Sequence, residues 1–174
     1  MREIEVITKL ATYQMVCDGE ADSSELEIIQ NLPQRMNQYI DSWGPGVSVR
    51  ITIRIGGSSS SRSSSSDEDE SISAQEICDI ANETISELND LPGDDETTEY
   101  LTNLAMQIED ENLRFHILKM LVDLSDADDE FHENEIEWLA ELSQLWNIEE
   151  DLSDFMYMKT NEEWGWEKGI FKVL

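Results

Sequence analysis

Apolar residues at Ile4, Ile7, Leu10, Ala11 and Met15, with Val6 and Tyr13 widening the face, recur at helical spacing and predict a buried helix over residues 3–17. Gly19 supplies its stop. A second helix is expected from Ser23 to near Ile40, carrying Leu26, Ile29 and Leu32, with Pro33 bending or interrupting it. After the turn Trp43-Gly44-Pro45-Gly46 the period shortens: Val47-Ser48-Val49-Arg50-Ile51-Thr52-Ile53-Arg54-Ile55 alternates apolar and polar residues, the pattern of a half-buried strand. A lone strand leaves its backbone groups unpaired, so a partner is required. The C-terminal run Gly169 to Leu174 is the preferred candidate, and a second chain is the other.

Gly56 to Ser71 is rich in Ser, Asp and Glu and reads as a disordered insertion at about 56–72, a solvated linker or a phosphorylatable, partner-binding segment. Ser73-Ala74-Gln75-Glu76 has the form of a capping box and opens a helix to about Asn89, closed by Leu91-Pro92-Gly93-Asp94. Further helices are expected over Glu96–Glu109 and over Glu111–Asp126, the latter with an apolar stripe of Leu113, Ile117, Met120, Leu121 and Leu124. Glu133–Trp146 turns Ile136, Leu139, Ala140 and Trp146 inward, and Glu149–Met158 precedes a Trp-rich tail. In that tail Trp164-Gly165-Trp166 either closes the core or forms an exposed docking patch. The fold class is all-α: one domain over residues 1–174, a compact helical bundle of about seven helices with a minor extended strand.

Composition narrows the function. A hydrophobic fraction of 39% is enough for a core. The net charge of −29 argues against unaided binding to nucleic acid or anionic lipid, because neutralising phosphates takes clustered Lys and Arg. Cations and basic surfaces are the expected partners. The start Met1-Arg2-Glu3-Ile4-Glu5 lacks the features of a signal peptide, and no apolar run is long enough to span a bilayer, so a cytoplasmic protein without direct membrane insertion is expected. Cys17 and Cys78 have no metal-like spacing and read as reduced, buried thiols.

One motif occurs twice. Cys17-Asp18-Gly19-Glu20-Ala21-Asp22-Ser23-Ser24-Glu25-Leu26-Glu27 aligns without a gap on Ala127-Asp128-Asp129-Glu130-Phe131-His132-Glu133-Asn134-Glu135-Ile136-Glu137, and the register extends outward to Ile7 with Ile117 and Lys9 with Lys119. The chain is therefore expected to hold two pseudo-symmetric helix-turn-helix repeats. Helix capping explains part of the motif: Asp22 is a good N-cap, and Glu25 suits the positive helix end. Capping does not explain Asp18 and Asp128, which follow helix C-termini, where a negative charge is unfavourable by about 0.3–1 kcal/mol. If the two turns meet, Asp18, Glu25, Asp128 and Glu135 converge and call for a neutralising ion. Oxygen ligands favour calcium or magnesium, with zinc less favoured despite His132. The loops are not EF-hands: from Asp18 the sixth position is Ser23 and the twelfth Ile29, and from Asp126 the sixth is Phe131.

A helix ending in Asp18-Gly19-Glu20 before a helix start that carries Glu25 resembles the signature of the TerB-like tellurite-resistance family, which is related to an N-terminal domain of membrane-associated J-domain co-chaperones. The second copy is similar over a longer run, from Asn112-Leu113-Arg114 through Trp146-Asn147-Ile148 to Asp151-Leu152. The resemblance leaves out Gly44 to Ser71 and the tail after Met158. It implies a compact all-α fold, an acidic metal site near the junction of the halves, membrane-associated partners in a stress response, and Asp18, Glu25, Asp128 and Glu135 as ligands. Asp129 in place of Gly19 and His132 in place of Asp22 depart from the first copy. Asp22, Glu20 and Glu130 rank second as ligands.

Enzymatic signatures are missing from the sequence: it has no phosphate-binding Gly loop, no Gly-x-Ser-x-Gly elbow and no His-Glu-x-x-His. His116, beside Leu113 and Met120, reads as a hydrogen-bonded structural histidine. A paired-carboxylate hydrolase would require two carboxyls in a partly apolar cleft with pKa values pushed apart. The expectation is a non-enzymatic, cation-binding protein that acts with basic or membrane-associated partners. The alternative is an acidic protein–protein adaptor without a metal.

Overall fold

The computed structural model describes residues 1–17, 31–34, 36–38, 51–54, 70–125, 133–149 and 152–153. These residues are mostly helical. In chain order the elements are α1 (Glu3–Val16), β1 (Ile51–Arg54), β2 (Glu70–Ser73), α2 (Ala74–Asn89), α3 (Asp94–Ala105), α4 (Glu111–Ser125) and α5 (Glu133–Trp146). Residues 31–34, Pro33 among them, and 36–38 are also helical. The rest of the expected second helix lies outside the described residues, as do most of Glu149–Met158 and the Trp-rich tail.

The strand pairing supplies a partner that the sequence reading did not name. β1 pairs with β2 in parallel, Ile51 opposite Glu70 and Arg54 opposite Ser73. The preferred partner, Gly169 to Leu174, is outside the described residues. Glu70 and Ser71, expected in the Ser-rich insertion, are strand residues, and Ile72 is buried at 1% exposure. One apolar residue among polar neighbours gives almost no alternating signal, which is why the sequence pattern passed over this strand. Residues 55–69 provide the connection of about a dozen residues that parallel neighbours need.

β2 runs directly into α2, whose N-cap Ser73 accepts a hydrogen bond from the Glu76 backbone N–H at 3.2 Å. Only this half of the expected capping box forms. Glu76 Oε1 instead accepts from Arg2 Nη2 at 2.5 Å, so the start of α2 is tied to the start of α1. Arg2 Nε also donates to Glu5 at 2.7 Å.

α1 is the central helix and contacts α2, α3 and α4. Burial therefore spreads around its circumference, and Thr8, Thr12 and Gln14 are buried along with Ile4, Ile7 and Leu10. The threonine hydroxyls are satisfied within the helix: Thr8 donates to the Ile4 carbonyl at 2.7 Å and Thr12 to the Thr8 carbonyl at 2.8 Å. Several buried positions of α1 and α4 recur at the offset of the doubled sequence motif. Ile7 and Ile117, Leu10 and Met120, Ala11 and Leu121 are all buried, and Leu32 and Met36 match Leu142 and Trp146 in the same way.

Lys9 breaks that correspondence, for it is buried at 8% exposure whereas Lys119 is exposed. Its Nζ donates to Glu87 Oε2 of α2 at 2.5 Å and to the Tyr100 hydroxyl of α3 at 3.2 Å, while Tyr100 donates to the same Glu87 oxygen. Burial alone would lower the Lys9 pKa, but the hydrogen bonds to Glu87 and Tyr100 leave it raised. Burial would raise Glu87, and the bonds from Lys9 and Tyr100 leave it lowered. The network's stabilisation is thus present above the ordinary Glu value of 4.5 and is lost as pH falls through the lower folded value. At the other end it is present below the ordinary Lys value of 10.5 and is lost as pH rises through the higher folded value. Lys9→Met is expected to cost about 1–2 kcal/mol near neutral pH, less than a fully buried pair because Glu87 rehydrates. The difference between wild type and variant should shrink below pH 4.5 in urea melts. A difference that does not change with pH would contradict the network's role.

The ends of the last helices are also defined. Asp110 Oδ1 accepts from the Leu113 N–H at 3.0 Å and caps α4. Asn147 takes a left-handed φ of 58°, and the Ile148 N–H returns to the Ser143 carbonyl at 2.9 Å to close α5.

Candidate functional site

The described residues that flank the two acidic turns meet at one end of the fold. Gln14 Nε2 donates to Ser125 Oγ at 2.6 Å, joining the last turns of α1 and α4. Asn134 Nδ2 donates to the Cys17 carbonyl at 3.2 Å, joining the end of α1 to the first turn of α5. Both pairs draw chain segments together that are more than a hundred residues apart in sequence. Gln14 is fully buried, and its Oε1 has no hydrogen-bond partner among the described residues.

Of the four expected ligands, Glu135 lies in the first turn of α5, buried at 7% exposure. The positive end of a helix is where a carboxylate is best tolerated. Asp18, Glu25 and Asp128 are outside the described residues, as are Glu20, Asp22, Glu130 and His132. Among the described residues no group of three or more His, Cys, Asp or Glu side chains could hold a metal ion.

Beside these helix ends an open cleft of about 340 Å³ is bounded by α1, α3 and α5. Tyr13 and Trp138 line it, packed edge to face with ring centroids 5.4 Å apart. Asp94, Glu137 and Glu141 line it too, all three exposed, and among the described residues no Lys or Arg does. Burial pushes the Tyr13 phenol up to about 12, with negative charge at Cys17, Glu141 and Asp94 adding to the rise. Trp138 is 4% exposed, and its indole Nε1–H has no acceptor among the described residues. Acid catalysis by a carboxyl calls for one buried against apolar groups, whereas these three carboxyls are exposed.

The thiols Cys17 and Cys78 are half-buried, less than expected. His116 is half-buried against the edge of the Phe115 ring, and burial together with Lys119 lowers its pKa, which keeps the imidazole neutral near pH 7.

Sequence reasoning passed over the cleft. It placed Ile136, Leu139, Ala140 and Trp146 on the inward face of α5, where the last three are buried and Ile136, half-buried, packs against the core; it left out Trp138, which is buried together with Glu135, Leu142 and Ser143. The spacing of Trp138, three after Glu135 and four before Leu142, was the available signal. Among the described residues no helix is long and apolar enough to cross a membrane. No family model, curated protein or solved structure matches this chain.

Proposed function

We propose that the chain is a non-enzymatic binding protein that holds one divalent cation, calcium or magnesium, between its two acidic turns, with Asp18, Glu25, Asp128 and Glu135 as oxygen ligands. The observation that carries this reading is the hydrogen bond from Asn134 to the Cys17 carbonyl, which holds the start of the second turn's outgoing helix against the end of the helix that leads into the first turn. The Gln14–Ser125 bond supports it by holding the two incoming helices together at the same end. The matched burial of the two helix pairs supports the pseudo-symmetric repeat on which a shared site depends. The reading rests on these contacts and on the carboxylates, with the family resemblance as context; a basic or membrane-associated protein partner fits the net charge of −29.

Thermal melting with added calcium tests it. Free calcium at roughly a hundred times Kd adds about 2.7 kcal/mol, a rise of about 5–10 °C for a domain of this size. Sodium chloride at equal ionic strength supplies the control, since screening alone stabilises so acidic a chain. Asp18→Asn combined with Asp128→Asn relieves repulsion, so the variant should melt higher than wild type without cation, yet show no calcium-specific rise. A rise matched by sodium chloride, or retained in the variant, would sink the proposal.

A further inference from the structure

We propose that α2 and α3 form a unit that opens away from α1 as ionic strength falls, a salt-dependent conformational device built into the fold. This goes beyond divalent-cation binding and does not rest on it. The two helices are the least anchored of the five. α2 buries three of its 16 residues, Ile77, Ala81 and Thr84, and α3 three of its 12, Leu101, Leu104 and Ala105. By contrast, α4 buries eight of 15 and α1 nine of 14. A segment with few buried side chains opens at a lower free energy than the core it packs on.

Charge makes that opening depend on salt. α2 and α3 carry four carboxylates each, and from Ala74 to Leu113 the sequence has no Lys, Arg or His. Asp79, Glu83 and Glu87 follow one another at the i,i+4 spacing of neighbours on a helix surface, as do Asp95 and Glu99, so like charges repel along both helices. Neither helix has a basic residue in its last turn to meet the negative helix end. Two cations of α1 oppose the repulsion: Lys9 binds Glu87 of α2 and Tyr100 of α3, and Arg2 binds Glu76 at the start of α2. Screening acts unequally on these forces. The screening length is about 30 Å at 0.01 M salt, long enough to reach across both helices, and about 3 Å at 1 M. Lys9 is buried and its pairing is screened little, so added salt removes repulsion among the exposed carboxylates and leaves the pin in place.

The test is amide hydrogen exchange of the full chain by NMR, at one pH and in EDTA, so that the result is independent of the turn site. Exchange is compared at about 20 mM and about 500 mM sodium chloride. The amides of Ala81 and Leu104 should exchange roughly tenfold or more faster at low salt, both by a similar factor, and faster than those of Ile117 and Leu121 in α4 at either concentration. Lys9→Met should speed exchange at Ala81 and Leu104 together, and Lys119→Met should not. Asp79→Asn combined with Glu83→Gln and Glu99→Gln, all at exposed positions, should cut the salt-dependent factor at least twofold at the same two amides. Exchange of Ala81 and Leu104 at the rate of Ile117 and Leu121 would mean that the helices open together and would overturn the proposal. Equal rates at the two salt concentrations, or a triple variant as salt-sensitive as wild type, would do the same.

Discussion

Trp146→Ala should lower stability by about 3–5 kcal/mol, the range for removing a large aromatic from a packed core. Trp146 is 4% exposed at the end of α5, and its indole N–H donates to the Ala105 carbonyl at the end of α3 at 3.1 Å. One side chain therefore fills core volume and ties two helix ends. Truncation opens a cavity and leaves the carbonyl of Ala105 without that donor. Trp146→Phe separates the two contributions, because it keeps most of the apolar surface and loses the hydrogen bond, at a cost of about 1 kcal/mol beyond the volume change. Trp138→Phe should cost less than Trp146→Phe, since the Trp138 indole N–H has no acceptor among the described residues to lose. Urea denaturation at constant m-value checks the ranking. Equal costs for the two phenylalanine variants would contradict the assigned hydrogen bonding.

Ile7→Ala and Ile117→Ala should each cost about 2–5 kcal/mol. Both residues are fully buried, Ile7 on the central helix α1 and Ile117 at the corresponding position of α4. Helices α1 and α4 contact one another, so the two substitutions hollow out neighbouring parts of one core, and the double variant should depart from additivity. Lys119→Met gives a contrast, because Lys119 is exposed and its substitution should stay within about 0.5 kcal/mol, whereas Lys9→Met should not. Comparable losses at Lys9 and Lys119 would mean that the two helices are used alike at that position, against the Lys9–Glu87–Tyr100 network.

The helices were legible where apolar spacing was regular. Glu133–Trp146 has the bounds its pattern predicts, and α1, α2 and α4 end within a residue or so of their expected limits. α3 was expected over Glu96–Glu109 and runs over Asp94–Ala105, starting two residues earlier, where three acids in its first turn mark the helix start, and ending four earlier than its sparse apolar residues suggested. The partner of β1 was not legible, since Ile72 is the single apolar residue among Glu70, Ser71 and Ser73. Buried polar residues escaped for a similar reason: Thr8, Thr12 and Gln14 are inside because α1 is surrounded, and an amphipathic template assigns such positions to solvent. Around the candidate site the flanks of the doubled motif are joined, Cys17 with Asn134 and Gln14 with Ser125. The aromatic cleft beside it depends on tertiary contacts between three helices, which no single periodicity encodes.

Calorimetric titration of calcium into the full chain, in about 0.15 M salt to screen diffuse attraction, addresses the proposed shared cation site most directly. Its stoichiometry is the discriminating number. A site built from both turns binds one ion per chain, and Asp18→Asn alone or Asp128→Asn alone should each weaken it by tenfold or more. Two ions per chain, with each single variant losing one and keeping the other, would contradict a shared site, and so would the absence of saturable binding by calcium or magnesium.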